Sequence, residues 1–146
     1  MRFYNGQHRF YCGIDLHAKT MYICILDSAG TVVVHRNLRS DPKAFLDLVA
    51  PYRDDLVVAA ECTFTWYWLA DLCAKEGIRF VLGHALAMKA IHGGKAKSDK
   101  IDSEKIAVLL RGGMLPQAYV YPAAMRSTRD LLRRRLHFVR ARFGPS

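Results

Sequence analysis

No apolar run in the 146 residues approaches the roughly 18 needed to span a bilayer, and residues 1–10 are polar and aromatic rather than a signal peptide. The expectation is a cytosolic chain with no membrane segment. Cysteine is sparse and scattered: Cys12, Cys24, Cys62 and Cys73 include no C-x-x-C pair, which excludes a zinc ribbon and gives no sign of a disulfide framework. They read as reduced, mostly buried thiols. Low-complexity stretches and internal repeats are missing, so disordered, collagen-like and solenoid classes are excluded.

The composition that remains is that of one basic globular domain, 51% hydrophobic and 24% charged, with a formal net charge of +9. A chain of this length can bury roughly two thirds of its unfolded surface, enough for a core without a metal or disulfide to hold it. The charge is unevenly placed. Between Arg126 and Arg142 stand seven arginines and one acid, Asp130, which carry +6 of the +9. Such a basic tail on a nearly balanced body suits a polyanion, with nucleic acid first and an anionic membrane surface second.

Tyr11 to Ile14, Met21 to Leu26 and Thr31 to His35 are short apolar or β-branched runs, the last two separated by Ser28-Ala29-Gly30, and they predict a three-stranded antiparallel meander. Ser40-Asp41-Pro42 supplies an N-cap followed by a first-turn proline, opening a helix that runs to Tyr52. Leu56 to Ala60 reads as a strand buried on both faces and ending at Glu61. Thr63 or Thr65 can cap the next helix, which stops near Gly77, and Arg79 to Leu82 is another strand. His84 to Ile91 has helical character, Gly93-Gly94 interrupts it, and an amphipathic helix resumes over Ser98 to Leu110 before Gly112-Gly113. Ala118 to Tyr121 is extended, and Ser127-x-x-Asp130 opens a last, basic helix with an apolar stripe at Leu132, Leu136, Val139 and Phe143. Three meandering strands followed by alternating helices and strands predict an α/β, ribonuclease H-like mixed sheet with flanking helices.

Four acids occupy informative places in that order. Asp15 follows the first strand, Glu61 ends the central strand, and Asp99 and Asp102 lie three apart on one helix face. If the first and fourth strands are neighbours, Asp15 and Glu61 converge and the helix delivers the other two. Carboxylates so grouped suit Mg²⁺ or Mn²⁺, and two such ions roughly 4 Å apart can activate the attacking oxygen and stabilise the leaving oxygen of a phosphodiester. Lys95, Lys97, Lys100 and Lys105 flank the acid pair, where they favour ionised carboxylates and can contact phosphate. The pattern alone equally allows Asp99 and Asp102 to be dipole-compatible acids of a helix start, and Glu61 a surface acid. A sugar-kinase-like phosphate loop at Gly13-Ile14-Asp15 is the weaker option, because His17 stands where that loop wants a small residue.

The segments G-I-D-L-H-A-K from Gly13 to Lys19, A-E-C-T from Ala60 to Thr63, and H-G-G-K-A-K-S-D-K-I-D-S-E-K-I-A from His92 to Ala107 closely resemble the DEDD-type insertion-sequence transposases, the family that includes the Piv DNA invertase. R-S-T-R-D-L-L-R-R-R from Arg126 to Arg135 fits as well. The resemblance implies a RuvC-like N-terminal domain over 1–125 whose metal-binding, catalytic acids correspond to Asp15, Glu61, Asp99 and Asp102. It implies DNA as partner, with a structured guide RNA and an oligomeric full-length form. It also implies that 126–146 is the start of a coiled-coil-like helix leading to a second domain with a serine nucleophile, so that this chain would be a truncated or isolated N-terminal domain, and neither Ser98 nor Ser146 takes the serine's role.

Other residues carry weaker signals. Arg133, Arg134, Arg135, Arg140 and Arg142 are candidates to track a nucleic-acid backbone, against a plain solvated helix face. Trp66, Tyr67 and Trp68 could stack on a base, with core packing the expected role. His17 and His92 are expected to be polar neighbours of the site rather than ligands, and Cys62 to be a packing residue. A nucleic-acid-binding remnant without catalysis, or a stand-alone junction-resolving nuclease, remain the alternatives to a transposase catalytic domain.

Overall fold

The computed structural model describes residues 2–61, 66–84 and 99–118. Its centre is a mixed five-stranded sheet built from β2 (Phe10–Leu16), β3 (Thr20–Asp27), β4 (Val32–Arg39), β5 (Leu56–Glu61) and β6 (Arg79–Gly83), in the spatial order β4-β3-β2-β5-β6. The first three strands form the expected antiparallel meander, whereas β5 lies parallel to β2 and β6 parallel to β5. Parallel neighbours need crossover connections, which α1 (Pro42–Val49) with the tight turn Ala50–Asp55, and α2 (Tyr67–Glu76), supply. A further helix, α3 (Asp99–Arg111), crosses the opposite face.

Residues of β2 alternate between the two faces, as a strand's period of two requires. Cys12, Ile14 and Leu16 join the larger core with Phe45 and Val49 of α1, Leu69 and Cys73 of α2, and Trp66 just before α2. On the other face, Tyr11 packs with Val57 and Ala59 of β5, Val81 of β6 and Ile106, Leu109 and Leu110 of α3. β5 is buried from Leu56 to Ala60, as its unbroken apolar run requires of a strand covered on both sides. Cys12, Cys24 and Cys73 are free and buried, in line with the packing role expected of them.

Local chemistry sets the helix ends. Asp41 is the N-cap of α1 and accepts from the Ala44 amide at 3.1 Å, with Pro42 following. α1 stops at Val49, short of the expected Tyr52, because Pro51 has no N–H for the i to i−4 bond and the chain tightens into a 3₁₀ turn. α2 ends at Gly77, whose φ of 69° lets its own amide and that of Ile78 close back on the Cys73 carbonyl. Thr63 and Thr65, offered as caps for α2, lie outside the described residues.

Two strands escape a sequence reading. β1 (Phe3–Tyr4) pairs antiparallel with β7 (Leu115–Pro116), and Gln117 bridges on to Gly83 at the edge of the main sheet. Two residues are too short for any periodicity; burial of Tyr4 and Leu115 holds them instead. His8, bonded to the Tyr4 hydroxyl and to Asp55 at 2.8 Å, ties this N-terminal segment down. The expected helix over His84 to Ile91, the extended segment to Tyr121 and the basic helix beyond it fall wholly or mostly outside the described residues. Among those described, no helix is long and apolar enough to cross a membrane.

Candidate metal centre

β2 runs two residues further than its apolar stretch suggests, so Asp15 lies within the strand rather than after it. Its neighbours across the meander explain the extension: Asp15 pairs with Tyr22 and Leu16 with Met21, so ladder bonds carry the strand past the charged residue. The parallel pairing of β2 with β5 runs through Ile14 and Ala60, which puts Glu61, the last residue of β5, at the next step beside Asp15. The expected adjacency of the two strands is therefore present.

α3 brings the third acid. It passes over Gly13 so closely that a Cβ there would overlap the backbone of Ser103 and Ala107, with the Ala107 Cα only 3.0 Å away. Asp99, the first described residue of the helix, stands at the end of β2. His17, just after that strand, stands between the two acids: its Nε2 is 3.2 Å from Asp15 Oδ2 and 3.3 Å from Asp99 Oδ1. One ligand atom from each of Asp15, His17 and Asp99 lies within 4.8 Å of the others. Glu61 and Asp102 are half-buried and stand outside this tight trio, Glu61 one strand over and Asp102 one helical turn on.

The electrostatics follow from burial. The Asp15 side chain is only 16% exposed, against 50% for His17 and 54% for Asp99. Burial pushes the Asp15 carboxyl up to about 6, opposed by His17 and reinforced by Asp99. Burial also works against the charge on His17, but Asp15 and then Asp99 outweigh it and hold the imidazole above its usual value. Although His17 is near, its geometry leaves Asp15 Oδ2 a buried oxygen without a hydrogen-bond partner among the described residues. Such an atom is costly in a dry setting and fits a position where a cation would sit.

His17, expected as a polar neighbour of the site, lies within reach of both Asp15 and Asp99. Its place two residues after Asp15, just beyond the end of β2, was the available signal. Of the flanking cations, Lys100 is exposed and Lys105 half-buried on α3. Lys95, Lys97, His92, Cys62, Arg133, Arg134, Arg135, Arg140 and Arg142 fall outside the described residues. Trp66 is buried, with Tyr67 and Trp68 packed against the same core, so packing is the role their positions give them.

Among solved structures, the chain is similar to the large terminase nuclease from thermophilic phage G20c with bound zinc, at 16% identity and a TM-score of 0.44. The alignment covers 79% of this chain and 66% of that one. No curated protein matches the chain significantly. A family profile described as Transposase, of the DEDD IS110 type, matches residues 12–143 and so takes in Asp15, His17, Glu61, Asp99 and Asp102. With nearly its whole length matched, the chain belongs to this DEDD transposase family.

Proposed function

We propose that the chain is the ribonuclease H-like, RuvC-like catalytic domain of an insertion-sequence transposase, supporting metal-dependent cleavage and strand transfer of DNA phosphodiesters. The observation that carries this reading is the convergence of Asp15 and Asp99 from a central strand and a crossing helix, with Glu61 ending the adjacent parallel strand. The order β4-β3-β2-β5-β6, three antiparallel strands continued by two parallel ones, supports the fold assignment.

Asp15, Asp99, Glu61 and Asp102 are the residues proposed to hold Mg²⁺ or Mn²⁺, because carboxylate oxygens suit hard divalent ions and the buried Asp15 Oδ2, which accepts no hydrogen bond although His17 is 3.2 Å away, fits such a ligand position. When bound, such ions activate the attacking oxygen of a phosphodiester exchange and stabilise the leaving one. The chain's own groups prepare the site. His17 offsets the repulsion between Asp15 and Asp99 while no cation is there, and burial of Asp15 makes its charge available to a ligand rather than to water.

DNA is the partner that family membership implies. Lys100 and Lys105 on α3, with Lys95, Lys97, Arg133, Arg134, Arg135 and Arg140 beyond the described residues, are proposed as its phosphate contacts. A structured guide RNA and an oligomeric full-length form complete the reading, with 1–125 as the catalytic-type domain and 126–146 as the start of a basic helix.

Calorimetric titration with Mn²⁺, comparing wild type with Asp15→Asn and with Asp99→Asn plus Asp102→Asn, tests it. Saturable binding lost in both variants supports the site, and cleavage assays on DNA then follow. Absence of binding even with DNA and structured RNA present would leave a nucleic-acid-binding domain without catalysis.

A further inference from the structure

Edge strand β4 touches the helix that carries Asp99 through His35. The His35 Nε2 lies 3.0 Å from the Lys100 carbonyl oxygen and 3.3 Å from Ser103 Oγ. A carbonyl oxygen only accepts, so Nε2 carries the proton and donates it. Ser103, fully buried, donates its hydroxyl to the same carbonyl at 2.8 Å. Tyr22 braces the imidazole edge-on, with ring centroids 5.2 Å apart.

Strand register turns this contact into a ruler. His35 pairs with Cys24 and Cys24 with Gly13, which makes one cross-sheet row, and it is over Gly13 that Ser103 and Ala107 pass in backbone contact. Asp15 is the next residue of β2 on that face, a two-residue step of about 6.7 Å. Asp99 precedes Ser103 by four residues, about 6 Å along the helix axis. The two steps match. Seating Ser103 on the His35 row therefore sets Asp99 over the Asp15 row, where His17 spans both acids. Ile106, Leu109 and Leu110 anchor the later turns of α3 in the core, whereas the first turn has an exposed, half-buried or polar side chain at each position from Asp99 to Ser103. Side chains of the meander reach it at two places: His17 meets Asp99, and His35 meets the Lys100 carbonyl and Ser103.

We infer that His35 is a positioning residue: by holding the Lys100 carbonyl it seats the first turn of α3 and so fixes the separation of Asp15 and Asp99. The inference rests on the metal-centre reading for its consequence, but its mechanical part does not need a metal.

Two readouts on the full chain keep these apart. Amide hydrogen exchange along α3 in metal-free buffer reads the clamp, and calorimetric Mn²⁺ titration reads its effect on the site. His35→Ala is expected to speed exchange in the first turn more than in the last and to weaken Mn²⁺ binding about tenfold, the usual size of an effect on ligand orientation. His35→Gln, whose amide can donate to the same carbonyl, is expected to recover most of both while the melting temperatures of the variants stay close. Exchange in His35→Ala that matches wild type would overturn the clamp. Faster exchange with unchanged Mn²⁺ affinity would overturn its control of the acid pair. If wild type itself binds no Mn²⁺, the metal reading fails, and the exchange comparison still decides whether His35 seats the helix.

Discussion

Gly13 and Ala107 are in backbone contact across the sheet and α3: a Cβ on Gly13 would come within 3.0 Å of the Ala107 Cα and overlap its amide nitrogen. The obstacle is backbone on a packed helix, which cannot swing aside as a side-chain tip would. Gly13→Ala is expected to destabilise the domain by about 3 kcal/mol, the upper end for overpacking, as read by urea denaturation. Whatever stability survives, the lifted helix carries Asp99 away from Asp15, so Mn²⁺ affinity should fall further than in a surface variant such as Lys75→Ala.

Metal-free stability should decline as the pH rises. The Asp15 carboxyl binds its proton more tightly folded than unfolded, so its contribution is full below an unfolded value near 3.8 and is lost as the pH climbs through about 6. His17, also raised in the fold, acts in the same sense: its contribution is full below 6.5 and is lost as the pH climbs through its higher folded value. Divalent ions reverse the trend, because they need the deprotonated carboxylate. Melting temperatures from pH 4 to 8, with and without Mn²⁺, are expected to show a metal-induced rise that grows above pH 6. A rise independent of pH would count against Asp15 as a ligand.

Asp15→Asn separates stability from function. A shift of about two pKa units corresponds to at most about 3 kcal/mol, and residual hydration of the partly exposed site reduces it. The variant is expected to be about 1 to 2 kcal/mol more stable than wild type at pH 7 without metal, to lose the decline between pH 4 and 6, and to lose Mn²⁺ binding. Chemical denaturation at three pH values checks all but the last, which calorimetry supplies. Equal stability at pH 7 would mean that the buried carboxylate is not the strained group its surroundings suggest.

The strands and helices of the core were legible because each carries a mark that burial enforces: short apolar runs in β2 and β3, an unbroken one in β5, and caps at Asp41 and Gly77. Asp15 stood out in the sequence as a candidate, but not as part of the strand, because ladder pairing with Tyr22 leaves no mark in hydrophobicity. His17 was harder still. Its role depends on Asp99, 82 residues away, and nothing local in the sequence reports that the helix returns to the end of β2. The same holds for His35, whose significance comes from register with Gly13, and for β1 and β7, which exist only because Tyr4 and Leu115 are buried together.

Lys100 and Lys105 should differ in how they serve a nucleic acid. Lys100 is exposed on the first turn of α3, within one residue of Asp99, whereas Lys105 is half-buried a turn and a half further along. A lysine that meets a phosphate releases about 0.9 of a counterion on binding, so removing it flattens the dependence of log affinity on log salt by about that much. Lys100→Gln is therefore expected to weaken DNA binding in metal-free buffer and reduce the salt slope by about one unit, and Lys105→Gln to do so by less. Fluorescence anisotropy over 50 to 300 mM salt, a range of roughly the kind in which such slopes are resolved, measures both. Unchanged slopes in both variants would move the DNA path off this helix and onto other basic segments, the arginines at Arg133, Arg134, Arg135 and Arg140 first among them, since the charge needed to hold a polyanion has to come from somewhere on a chain whose excess is concentrated there.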